Sequence, residues 1–448
     1  MMNEREMELM EFIERREYLR LRKELSEMNE VDVASFLQEL PAEEAAIVFR
    51  MLPKDLASDV FAEFETSMQH HLVGVMTDKE LYDVVNDLAV DDAVDMLEEM
   101  PAFVVQRVLK AADPAMRKTI NLFMKYPEDS AGSIMTPEFI GLKANMTTGE
   151  AIEYIRKNGE DRETIYTCYV MDEKRVLIGV VSVRTLLVSK DDVLVSEIMD
   201  KNVISVVTET DQEEAANLLK KYDFMSLPVV DKENRLVGII TYDDAMDVIE
   251  EETTEDIERM GAVEPSETPY LKTPVSKLAK NRIVWLLVLM VADMISGGIL
   301  ERWQEAFAAM PILISFIPML TDTGGNAGGQ SSTLIIRSLA MKEIELSDWI
   351  KVWWKEVRVA LVCGVILASI NTVRIWIMYP GQIMVGITIG IAMICTVLMA
   401  KSVGGILPLI ASKLHLDPAV MASPLITTIV DAGSLLIYLN TASALLHI

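Results

Sequence analysis

Five long apolar stretches follow Lys280, and each of them is long enough to cross a lipid bilayer. They lie at about 283–300, 307–336, 357–377, 383–407 and 424–446. A membrane-crossing helix needs ~20 mainly apolar residues. Within lipid, only helices and closed barrels satisfy all of their backbone hydrogen bonds. The second half of the chain is therefore predicted to be a bundle of five membrane-spanning helices.

The rest of the chain is strongly acidic. The 448 residues carry a formal net charge of −28, and residues from Arg282 onward contribute ten acidic and ten basic side chains. The whole excess, 59 acidic against 31 basic residues, therefore lies in residues 1–280. Such a surface repels phosphates, which excludes nucleic acid as a partner. Cations are its natural counter-ions, and a chain of this length is expected to form two to four domains.

The cysteines and the N-terminus indicate a reducing compartment. Cys168, Cys363 and Cys395 lack the spacing of a metal site or a disulfide framework. The first 25 residues are charged and have apolar residues at helical spacing, so we expect no cleavable signal peptide.

Basic residues predict the orientation of the apolar stretches. Membrane proteins concentrate Lys and Arg in their cytoplasmic connections. The acidic N-terminal part is therefore expected in the cytoplasm and the C-terminus outside. The basic residues on the expected cytoplasmic side are Lys272, Lys277, Lys280, Arg282, Arg337, Lys342, Lys351, Lys355, Arg358, Lys401 and Lys413, against Arg302 and Arg374 on the other side.

The second apolar stretch contains an unusual run of small and polar residues, "TDTGGNAGGQSS", at residues 321–332. Small residues allow close packing of helices in membranes. Alternatively, irregular backbone is tolerated at this depth where it lines a wet cavity. The polar side chains of Asp322, Asn326 and Gln330 favour the second interpretation, a pore-lining helix that is broken at its glycines.

Three carboxylates, Asp293, Asp322 and Asp431, lie inside apolar stretches. A charged side chain near the bilayer centre costs roughly 2.5–3.5 kcal/mol on insertion scales. Pairing with hydroxyl or backbone groups is the structural alternative, but no Lys or Arg is expected at matching depth. The three acids therefore favour a path for cations.

Residues 31–125 repeat a short unit, seen in "VDVASFLQELP", "AEEAAIVFRMLP" and "VDDAVDMLEEMP". Apolar residues recur at helical spacing, and proline stops one helix before the next begins. This pattern predicts an α-helical superhelix of stacked repeats. Asp59, Asp91 and Asp95 lie on it, and such acids are commonly just a solvated helix face.

An internal duplication follows the repeats. Ile134-Met135 corresponds to Ile198-Met199, and Gly179 corresponds to Gly238. Each copy has the pattern strand–helix–strand–turn–strand–helix. It is similar to a tandem pair of α/β cystathionine-β-synthase-type (CBS) domains.

The resemblance to CBS domains extends to one nucleotide motif. The second copy has "GIITYDD", which resembles the ribose-contacting motif of CBS domains through Thr241 and Asp244. The first copy has Thr185 where an Asp is expected. Nucleotide binding is therefore open in the second copy and disfavoured in the first.

A strongly acidic helix, "DAMDVIEEETTEDIERM", leads from the second copy towards the membrane. Its acids recur at helical spacing, where like charges repel each other. This connector helix is expected to need a cation between its carboxylates.

The whole arrangement resembles the MgtE family of magnesium channels over essentially the entire chain. The most specific segments are "TGGNAGGQSSTLIIRSLA", "LDPAVMASPLITTIVDAGSLLIYL" and "YDFMSLPVVDKENRLVGIITYDDAMDVIEEETTEDIERMGAV". The resemblance implies a multidomain membrane protein with an acidic helical N domain (1–130) and tandem CBS domains (131–250, divided into 131–194 and 195–250). An acidic connector, or plug, helix and linker (251–280) and a five-helix transmembrane pore domain (281–448) would follow.

The resemblance also implies a homodimer in a bacterial inner membrane. Its pore would lie on the twofold axis, lined by the second and fifth helices. Mg²⁺ keeps much of its hydration shell, and a pair of carboxylates would attract the hydrated ion without trapping it. The implied pore residues are Asp431, Gly324, Gly325, Asn326 and Thr428.

A cytosolic magnesium sensor would close this pore. Its ligands carry over by motif position, although the repeat permits a shift of one unit for the first three. The implied regulatory residues are Asp59, Asp91, Asp95, Glu213, Asp223, Asp244, Asp247, Glu252, Glu255, Asp256 and Asp417.

The expected function is therefore Mg²⁺ uptake through a Mg²⁺-selective channel that cytosolic Mg²⁺ closes. Mg²⁺, lipid and a second copy of the chain are the expected partners, with an adenine nucleotide as a further ligand of the CBS pair. A Co²⁺ or Ni²⁺ transporter is one alternative, although no His or Cys group in the apolar stretches suits a softer metal. A membrane receptor that senses nucleotide is another. No nucleophile–base pair, phosphate loop or HExxH motif is present, so an enzyme is not expected.

Overall fold

A computed structural model describes residues 4–98, 100–160, 162–266, 270–271, 273–421 and 423–447 of the chain. It divides the chain into two compact units, Met1–Glu250 and Glu251–Ile448.

The first unit begins with the predicted helical repeat. Alternate helices stack on one another, because α3 packs on α5, α5 on α7 and α7 on α9. Pro41, Pro53 and Pro101 each precede the first residue of a helix, as the Leu-Pro and Met-Pro pattern predicted. The helices are α1 (Glu4–Glu14), α2 (Tyr18–Leu25), α3 (Glu30–Glu39), α4 (Ala42–Phe49), α5 (Lys54–Ala62), α6 (Thr66–Val75), α7 (Asp78–Asp87), α8 (Val90–Glu98), α9 (Ala102–Ala111) and α10 (Pro114–Phe123).

The two CBS copies follow with the predicted order of strands and helices. In each copy the first strand pairs parallel with the second, and the second pairs antiparallel with the third. The first copy comprises β1 (Ile140–Lys143), α11 (Thr148–Asn158), β2 (Thr167–Met171), β3 (Leu177–Ser182) and α12 (Val183–Val188). The second comprises the short α13 (Val195–Ile198), β4 (Val206–Val207), α14 (Gln212–Tyr222), β5 (Ser226–Val230), β6 (Leu236–Thr241) and α15 (Tyr242–Met260).

The two copies exchange their leading segments. Thr136, which lies before β1 in the first copy, bonds with Ile239 of the second through N–O distances of 2.8 and 2.9 Å. Asp200, which lies before β4 in the second copy, bonds with Val180 of the first at 2.8 and 2.9 Å. The reciprocal exchange gives the pair an approximate internal twofold symmetry.

Two methionine–glycine contacts confirm the correspondence between the copies. A Cβ at Gly238 would lie 2.7 Å from the sulfur of Met135, and one at Gly179 would lie 2.6 Å from that of Met199. Only a hydrogen fits at these two positions. The sequence match of Ile134-Met135 with Ile198-Met199 thus reflects equivalent packing.

The helical repeat shares its hydrophobic core with the second copy. Leu227, Val229 and Ile240 of β5 and β6 belong to the same buried cluster as the interior of the repeat. Burial of a continuous apolar core is worth about 25 cal/mol per Å², so these two parts stabilise each other within the first unit.

The second unit is a helix bundle. Helix α20 lies at its centre and packs against α18, α19 and α21, while α18 packs also against α21 and α16 packs against α21. A 3₁₀ segment at Pro311–Phe316 precedes α18. The helices are α16 (Val275–Arg302), α17 (Gln304–Ala309), α18 (Ile317–Ala340), α19 (Trp349–Met378), α20 (Ile383–Lys413) and α21 (Ser423–Leu446).

Four helices among the described residues are long and apolar enough to cross a membrane: α16, α19, α20 and α21. Helix α18 falls outside this set because its glycines and polar residues lower its hydropathy. Its 24 residues nevertheless extend for about 36 Å. It packs against both α20 and α21.

The expected break in the second apolar stretch is wrong, because α18 is continuous over Ile317–Ala340. Its glycines serve close helix packing instead, which was the alternative interpretation. A Cβ at Gly324 would lie 2.8 Å from the Ser434 hydroxyl, and one at Gly325 would lie 2.5 Å from Thr427 Cγ2. The helix therefore approaches α21 through its glycine face.

The role assigned to Lys401 as a flanking charge is also wrong. Lys401 is 6% exposed and lies in the interior of α20. Twelve residues, or about 18 Å of helix, separate it from the C-terminal residue of α20, Lys413. A buried hydrogen-bond network, described below, accounts for its position.

The closest approach of α18 and α20 yields a stability prediction. A Cβ at Gly404 would overlap the carbonyl oxygen of Gly328, a backbone atom that cannot move away by rotation. We expect Gly404→Ala to destabilise the bundle by about 1–3 kcal/mol, the usual cost of overpacking.

Thermal unfolding of the detergent-solubilised protein, followed by tryptophan fluorescence, measures this effect. Gly298→Ala on α16 is the matched control, since its Cβ would meet no atom within 4 Å. Equal melting temperatures of the two variants would show that α18 and α20 do not approach as closely as described.

Candidate ion path and acidic clusters

Helix α18 has one buried face and one exposed polar face. Gly324, Gly325, Ala327, Gly328, Gly329, Ser331 and Ser332 are buried against neighbouring helices. The opposite face, which we call the polar stripe, is exposed on the single chain and consists of Asp322, Asn326, Gln330 and Thr333. A polar face in lipid is costly, so this stripe requires water or another protein surface beside it.

The three intramembrane acids, which were predicted from separate stretches, lie near one another. Asp431 of α21 is half-buried, and its carboxylate interacts electrostatically with Asp293 of α16 and Asp322 of α18. Thr428, one turn before Asp431, is buried and donates its hydroxyl to the Pro424 carbonyl at 3.1 Å. Three helices thus bring negative charge to one region of the bundle.

The other implied pore residues fall on different faces of α18. Asn326 lies in the polar stripe, whereas Gly324 and Gly325 lie on the buried face against α21. Their carbonyl groups belong to a continuous helix. The glycines therefore place Asn326 and Asp431 on closely packed helices.

A second acidic group lies in the first unit, where acids of the helical repeat meet acids of the CBS copies. It consists of Asp91 and Asp92 of the repeat, Glu163 of the first copy and Asp244 of the second, and we call it the interface acid cluster. Asp91 is 7% exposed, and its Oδ1 has no hydrogen-bond partner among the described residues. Burial raises the pKa of Asp91 well above its usual range, and the charges of Asp92, Asp244 and Glu163 raise it further.

The other members of the interface acid cluster show the same effect. Asp92 is exposed in this arrangement, but nearby protein atoms displace part of its hydration, and this effect and the charge of Asp244 raise its pKa to about 6. The pKa of Glu163 is raised to about 7 by the same two causes. Burial also raises the pKa of Asp244. Dehydration and crowding therefore disfavour the charged form of these carboxylates.

The remaining implied ligands in the first unit lie on several different elements. Burial and the charges of Asp243 and Glu250 raise the pKa of Asp247. Asp223 ends α14 in a left-handed conformation, with φ of 52°. The positions of the others are Asp59 on α5, Asp95 on α8 and Glu213 in the first turn of α14.

Sequence reasoning missed several acids that act on this cluster. Asp92 could have been found, because it is adjacent to Asp91 on a helix. Glu163 lies in a loop, where no periodic pattern marks it. The other missed acids are Glu63, Glu138 and Asp243.

Thr241 and Asp244, the two candidate nucleotide contacts, bond to each other. The Thr241 hydroxyl donates to the Asp244 carboxylate at the start of α15. In the first copy, Ser182 and Thr185 occupy the equivalent positions, and their hydroxyls lie 2.9 Å apart. Asp244 is thus shared by the nucleotide motif and the interface acid cluster, whereas the first copy has no charge there.

An arginine side chain on the connector helix pairs with the acids around it. Near the end of α15, the Arg259 guanidinium contacts Asp417 at 2.5 Å and also pairs with Glu255. Burial raises the pKa of the neighbouring Asp256, and the charges of Asp417 and Glu252 add to this effect. Glu255, Asp256 and Asp417 therefore lie near one another, around an arginine that the sequence analysis did not single out.

None of these acidic groups has the geometry of a finished metal site within one chain. In the part of the chain that the structure describes, no set of three His, Cys, Asp or Glu residues is arranged as metal ligands. Ligands from water or from a second subunit would have to complete any such site.

Comparison with known proteins identifies the family. The chain is 37% identical over 431 residues to the magnesium transporter MgtE of Thermus thermophilus, covering 95% of both chains. The chain belongs to the MgtE family. Residues 317–441 match the divalent cation transporter family MgtE, residues 28–129 match the MgtE intracellular N domain, and residues 131–190 and 195–251 match the CBS domain.

Other members of the MgtE family support the same assignment. The magnesium transporter MgtE of Bacillus subtilis is 32% identical over 94% of this chain and 93% of its own length. The family transports cations and is not a family of enzymes. With its several apolar helices, the chain is a multi-pass membrane protein.

Two solved structures of related proteins match the fold of the first part of the chain. The cytosolic domain of the Mg²⁺ channel MgtE in complex with ATP has a TM-score of 0.52 and 38% identity, covering 54% of this chain and 99% of that one. The soluble part of a magnesium transporter has a TM-score of 0.52 and 29% identity, covering 56% and 98%. The fold of an MgtE N domain followed by tandem CBS domains is confirmed.

Proposed function

We propose that this chain is a Mg²⁺-selective channel for magnesium uptake that closes when cytosolic Mg²⁺ binds its acidic surfaces. The observation that carries the proposal is the full-length similarity to two proteins named as magnesium transporters. The acidic groups of both units provide the chemistry that such a function needs.

The conduction path is proposed to lie on the axis of a homodimer. A single chain leaves the polar stripe exposed, and Asp431 lies half-buried on the adjacent helix α21. Association of two polar stripes would remove them from lipid and enclose water between them. Asp431, Thr428 and Asn326 would line this path, with Gly324 and Gly325 packing α18 against α21.

Mg²⁺ suits these groups better than a softer metal does. It prefers oxygen ligands and dehydrates reluctantly. Carboxylate, amide and hydroxyl oxygens acting through water would attract the hydrated ion and release it again. Asp293 and Asp322 add negative charge close to Asp431.

Regulation is proposed to arise from neutralisation of the interface acid cluster. Its carboxylates have raised pKa values because they are crowded and partly dehydrated. Mg²⁺ between them would remove the repulsion and favour the packed arrangement of the first unit. A ligand that binds one arrangement better than another shifts the equilibrium between them. The proposed regulatory ligands are Asp59, Asp91, Asp95, Glu213, Asp223, Asp244, Asp247, Glu252, Glu255, Asp256 and Asp417.

Arg259 is proposed to hold the connector helix near Asp417 without Mg²⁺. We expect Arg259→Gln to raise the open probability at low cytosolic Mg²⁺ by about fivefold, for an ion pair that contributes about 1 kcal/mol. Removal of this charge also leaves Glu255 and Asp417 without their guanidinium partner. The open probability is therefore expected to change more between low and high cytosolic Mg²⁺ than in the wild-type protein.

Single-channel recording at stepwise cytosolic Mg²⁺ measures this effect. Arg235→Gln is the control, because Arg235 pairs with Asp231 at 2.8 Å on an exposed turn of the second CBS copy. An Arg259→Gln variant with the wild-type open probability at low Mg²⁺ would contradict the proposed contact.

The basic residues support a cytoplasmic N-terminus and an outward C-terminus in a bacterial inner membrane. Because Lys401 is buried, it no longer counts among the basic residues of the expected cytoplasmic side. Lys413 still lies at the connection between α20 and α21. Because a related cytosolic domain binds ATP, an adenine nucleotide is a proposed ligand of the second CBS copy through Thr241 and Asp244.

Electrical recording from the full-length protein in a planar bilayer tests the function. We expect Mg²⁺ current that falls as Mg²⁺ rises on the cytosolic side, and smaller currents with Co²⁺ or Ni²⁺. A protein that passes no divalent current at any Mg²⁺ concentration would favour a nucleotide-sensing receptor instead. A larger current with Co²⁺ or Ni²⁺ would change the assigned ion.

A further inference from the structure

A buried polar network joins three helices of the membrane unit. Lys401 of α20 and Glu356 of α19 are 6% and 8% exposed, and their charged atoms lie 4.0 Å apart. Ser331 of α18 lies between them, 3.1 Å from the Lys401 nitrogen and 2.5 Å from a Glu356 oxygen. We call Lys401, Ser331 and Glu356 the buried polar network.

The chemistry of these groups fixes the direction of the bonds. Lys401 can only donate, and the Glu356 carboxylate can only accept. The Ser331 hydroxyl therefore accepts from Lys401 and donates to Glu356. Lys401 also lies 3.5 Å from the Ala327 carbonyl of α18, which it can reach with a second N–H group. The ion pair thus holds α18 at two adjacent positions, one turn apart.

The middle of the buried face of α18 has few side chains that could fix its rotation. It contains Gly324, Gly325, Gly328 and Gly329, whereas the larger buried side chains, Leu320, Ile335 and Ile336, lie towards the two ends of the face. Helices usually lock together by fitting side-chain ridges into grooves, and glycine has no side chain to insert. The glycines allow close approach, and side chains of α21 such as Thr427 and Val430 fit against them. In this segment, however, α18 has few side chains of its own that would resist rotation of the helix about its axis.

Rotation of α18 decides which groups the polar stripe presents. Successive residues of a helix are separated by about 100°, so Ala327 and Ser331 follow the stripe residues Asn326 and Gln330 by that angle. A rotation of α18 by this angle would replace the amide side chains of Asn326 and Gln330 on the exposed face by Ala327 and Ser331. Contacts to Ala327 and Ser331 therefore determine the position of Asn326 and Gln330.

We propose that the buried polar network is a positioning element, which holds α18 in the rotation that directs Asn326 and Gln330 into the ion path. Ionisable groups inside membrane helices are costly and usually functional. A buried ion pair is favourable only when further hydrogen bonds complete it. Ser331 and the Ala327 carbonyl provide those bonds. The inference rests on the proposed function, since it assigns a role in ion passage.

Substitutions of the network test the proposal. Lys401→Met with Glu356→Gln removes both charges together and leaves neither of them buried alone. We expect the Mg²⁺-to-K⁺ permeability ratio to fall by about three- to thirtyfold, the size of other long-range coupling effects. Ser331→Ala, which removes only the bridging hydroxyl, is expected to act in the same direction with a smaller change. Lys401→Arg keeps the positive charge and the N–H donors, and it is expected to retain most of the wild-type Mg²⁺-to-K⁺ permeability ratio.

Chemical labelling separates positioning from general stability. In a background without Cys168, Cys363 and Cys395, Ala327→Cys is expected to resist a water-soluble thiol reagent and to react at least threefold faster in the Lys401→Met/Glu356→Gln variant. Thr388→Val is the matched control on α20, because the buried Thr388 hydroxyl donates to the Met384 carbonyl of its own helix at 2.8 Å.

The outcomes distinguish this inference from the proposed function. If wild-type protein conducts Mg²⁺, but the network variants keep its permeability ratio and its labelling pattern, the positioning role is wrong. If the double variant does not fold, Ser331→Ala and Lys401→Arg decide the question on folded protein. If the wild-type protein conducts no Mg²⁺, the proposed function itself fails.

Discussion

Asp431→Asn is expected to reduce Mg²⁺ current about tenfold or more while leaving the protein folded. The carboxylate lies half-buried on α21 beside the polar stripe of α18, and two further acids act on it. Asparagine keeps the shape but removes the charge that attracts a dication. Interactions with charged groups contribute about 1.5–3 kcal/mol, which corresponds to a factor of about 10 or more in ion occupancy.

Current through the variant is measured with Mg²⁺ and then with K⁺ as the main cation. The Mg²⁺ current should fall much more than the K⁺ current, because a doubly charged ion gains twice the electrostatic energy from Asp431. Asp348→Asn provides the control: this acid is paired with Lys351 at 2.7 Å on the surface. Equal losses for both ions would point to collapse of the path, and no loss would remove Asp431 from it.

Asp293→Asn and Asp322→Asn extend this comparison. Both residues interact with Asp431, yet Asp293 is exposed on α16, the helix whose apolar window is not buried within the unit. A smaller reduction of Mg²⁺ current than in Asp431→Asn is expected for each, because Asp431, the proposed pore carboxylate, is still present in both variants. The graded series would show how the three charges share the attraction.

Much of the architecture was predictable because it depends on periodic patterns. Helical spacing and terminal prolines located the repeat, and the matched Ile-Met and Gly positions located the CBS duplication. The reciprocal contacts of Met135 with Gly238 and of Met199 with Gly179 explain why those residues stood out. Such patterns arise wherever a side chain must fit an element with a fixed repeat.

The failures have a different cause. A run of glycines in α18 fits both a broken helix and a tightly packed one, and only the partner surface, with Ser434 and Thr427, decides between them. Lys401 resembles a flanking charge in the sequence, because its partners Ser331 and Glu356 lie 70 and 45 positions away. Contacts between distant segments leave no local pattern.

The acidic groups were predictable only in part, because some of their members lie far apart in the sequence. The connector-helix acids and Asp417 formed visible motifs, and the structure brings Glu255, Asp256 and Asp417 near one another. Glu163 and Arg259, however, gain their importance only from residues far away in the sequence. A single acid in a loop, or a single arginine at a helix end, is indistinguishable from a solvated side chain until its neighbours are known.

The interface acid cluster predicts that protons partly replace Mg²⁺ as a closing signal. The pKa values of Asp92 and Glu163 are raised to about 6 and about 7 in the packed first unit. This arrangement therefore binds more protons than one in which the acids are separated, and lower pH favours it. The effect is complete below the ordinary carboxylate pKa of about 4 and lost above about pH 7. Lowering the cytosolic pH from about 8 to about 6 should reduce the Mg²⁺ needed for closure.

The double substitution Asp91→Asn with Asp92→Asn is expected to weaken channel closure both by Mg²⁺ and by protons. Without these charges the acids repel less at low Mg²⁺, and they offer fewer ligands at high Mg²⁺, so the difference between the two conditions shrinks. We expect the ratio of open probabilities at low and high cytosolic Mg²⁺ to fall about tenfold, or about 1.4 kcal/mol of coupling. Asp191→Asn with Asp192→Asn, a pair of adjacent and exposed acids in the first CBS copy, is the matched control.

Both effects are read from single-channel recordings at two pH values and several Mg²⁺ concentrations. Hydrogen exchange of α8 and of the start of α15 reports the packing of the first unit directly. Protection there should increase with Mg²⁺ and with falling pH in the wild-type protein, and much less in the Asp91→Asn/Asp92→Asn variant. If protection increased with Mg²⁺ while the open probability stayed constant, the cluster would bind ions without controlling the pore. If neither changed, closure would have to originate at the connector helix, where Arg259→Gln provides the independent test.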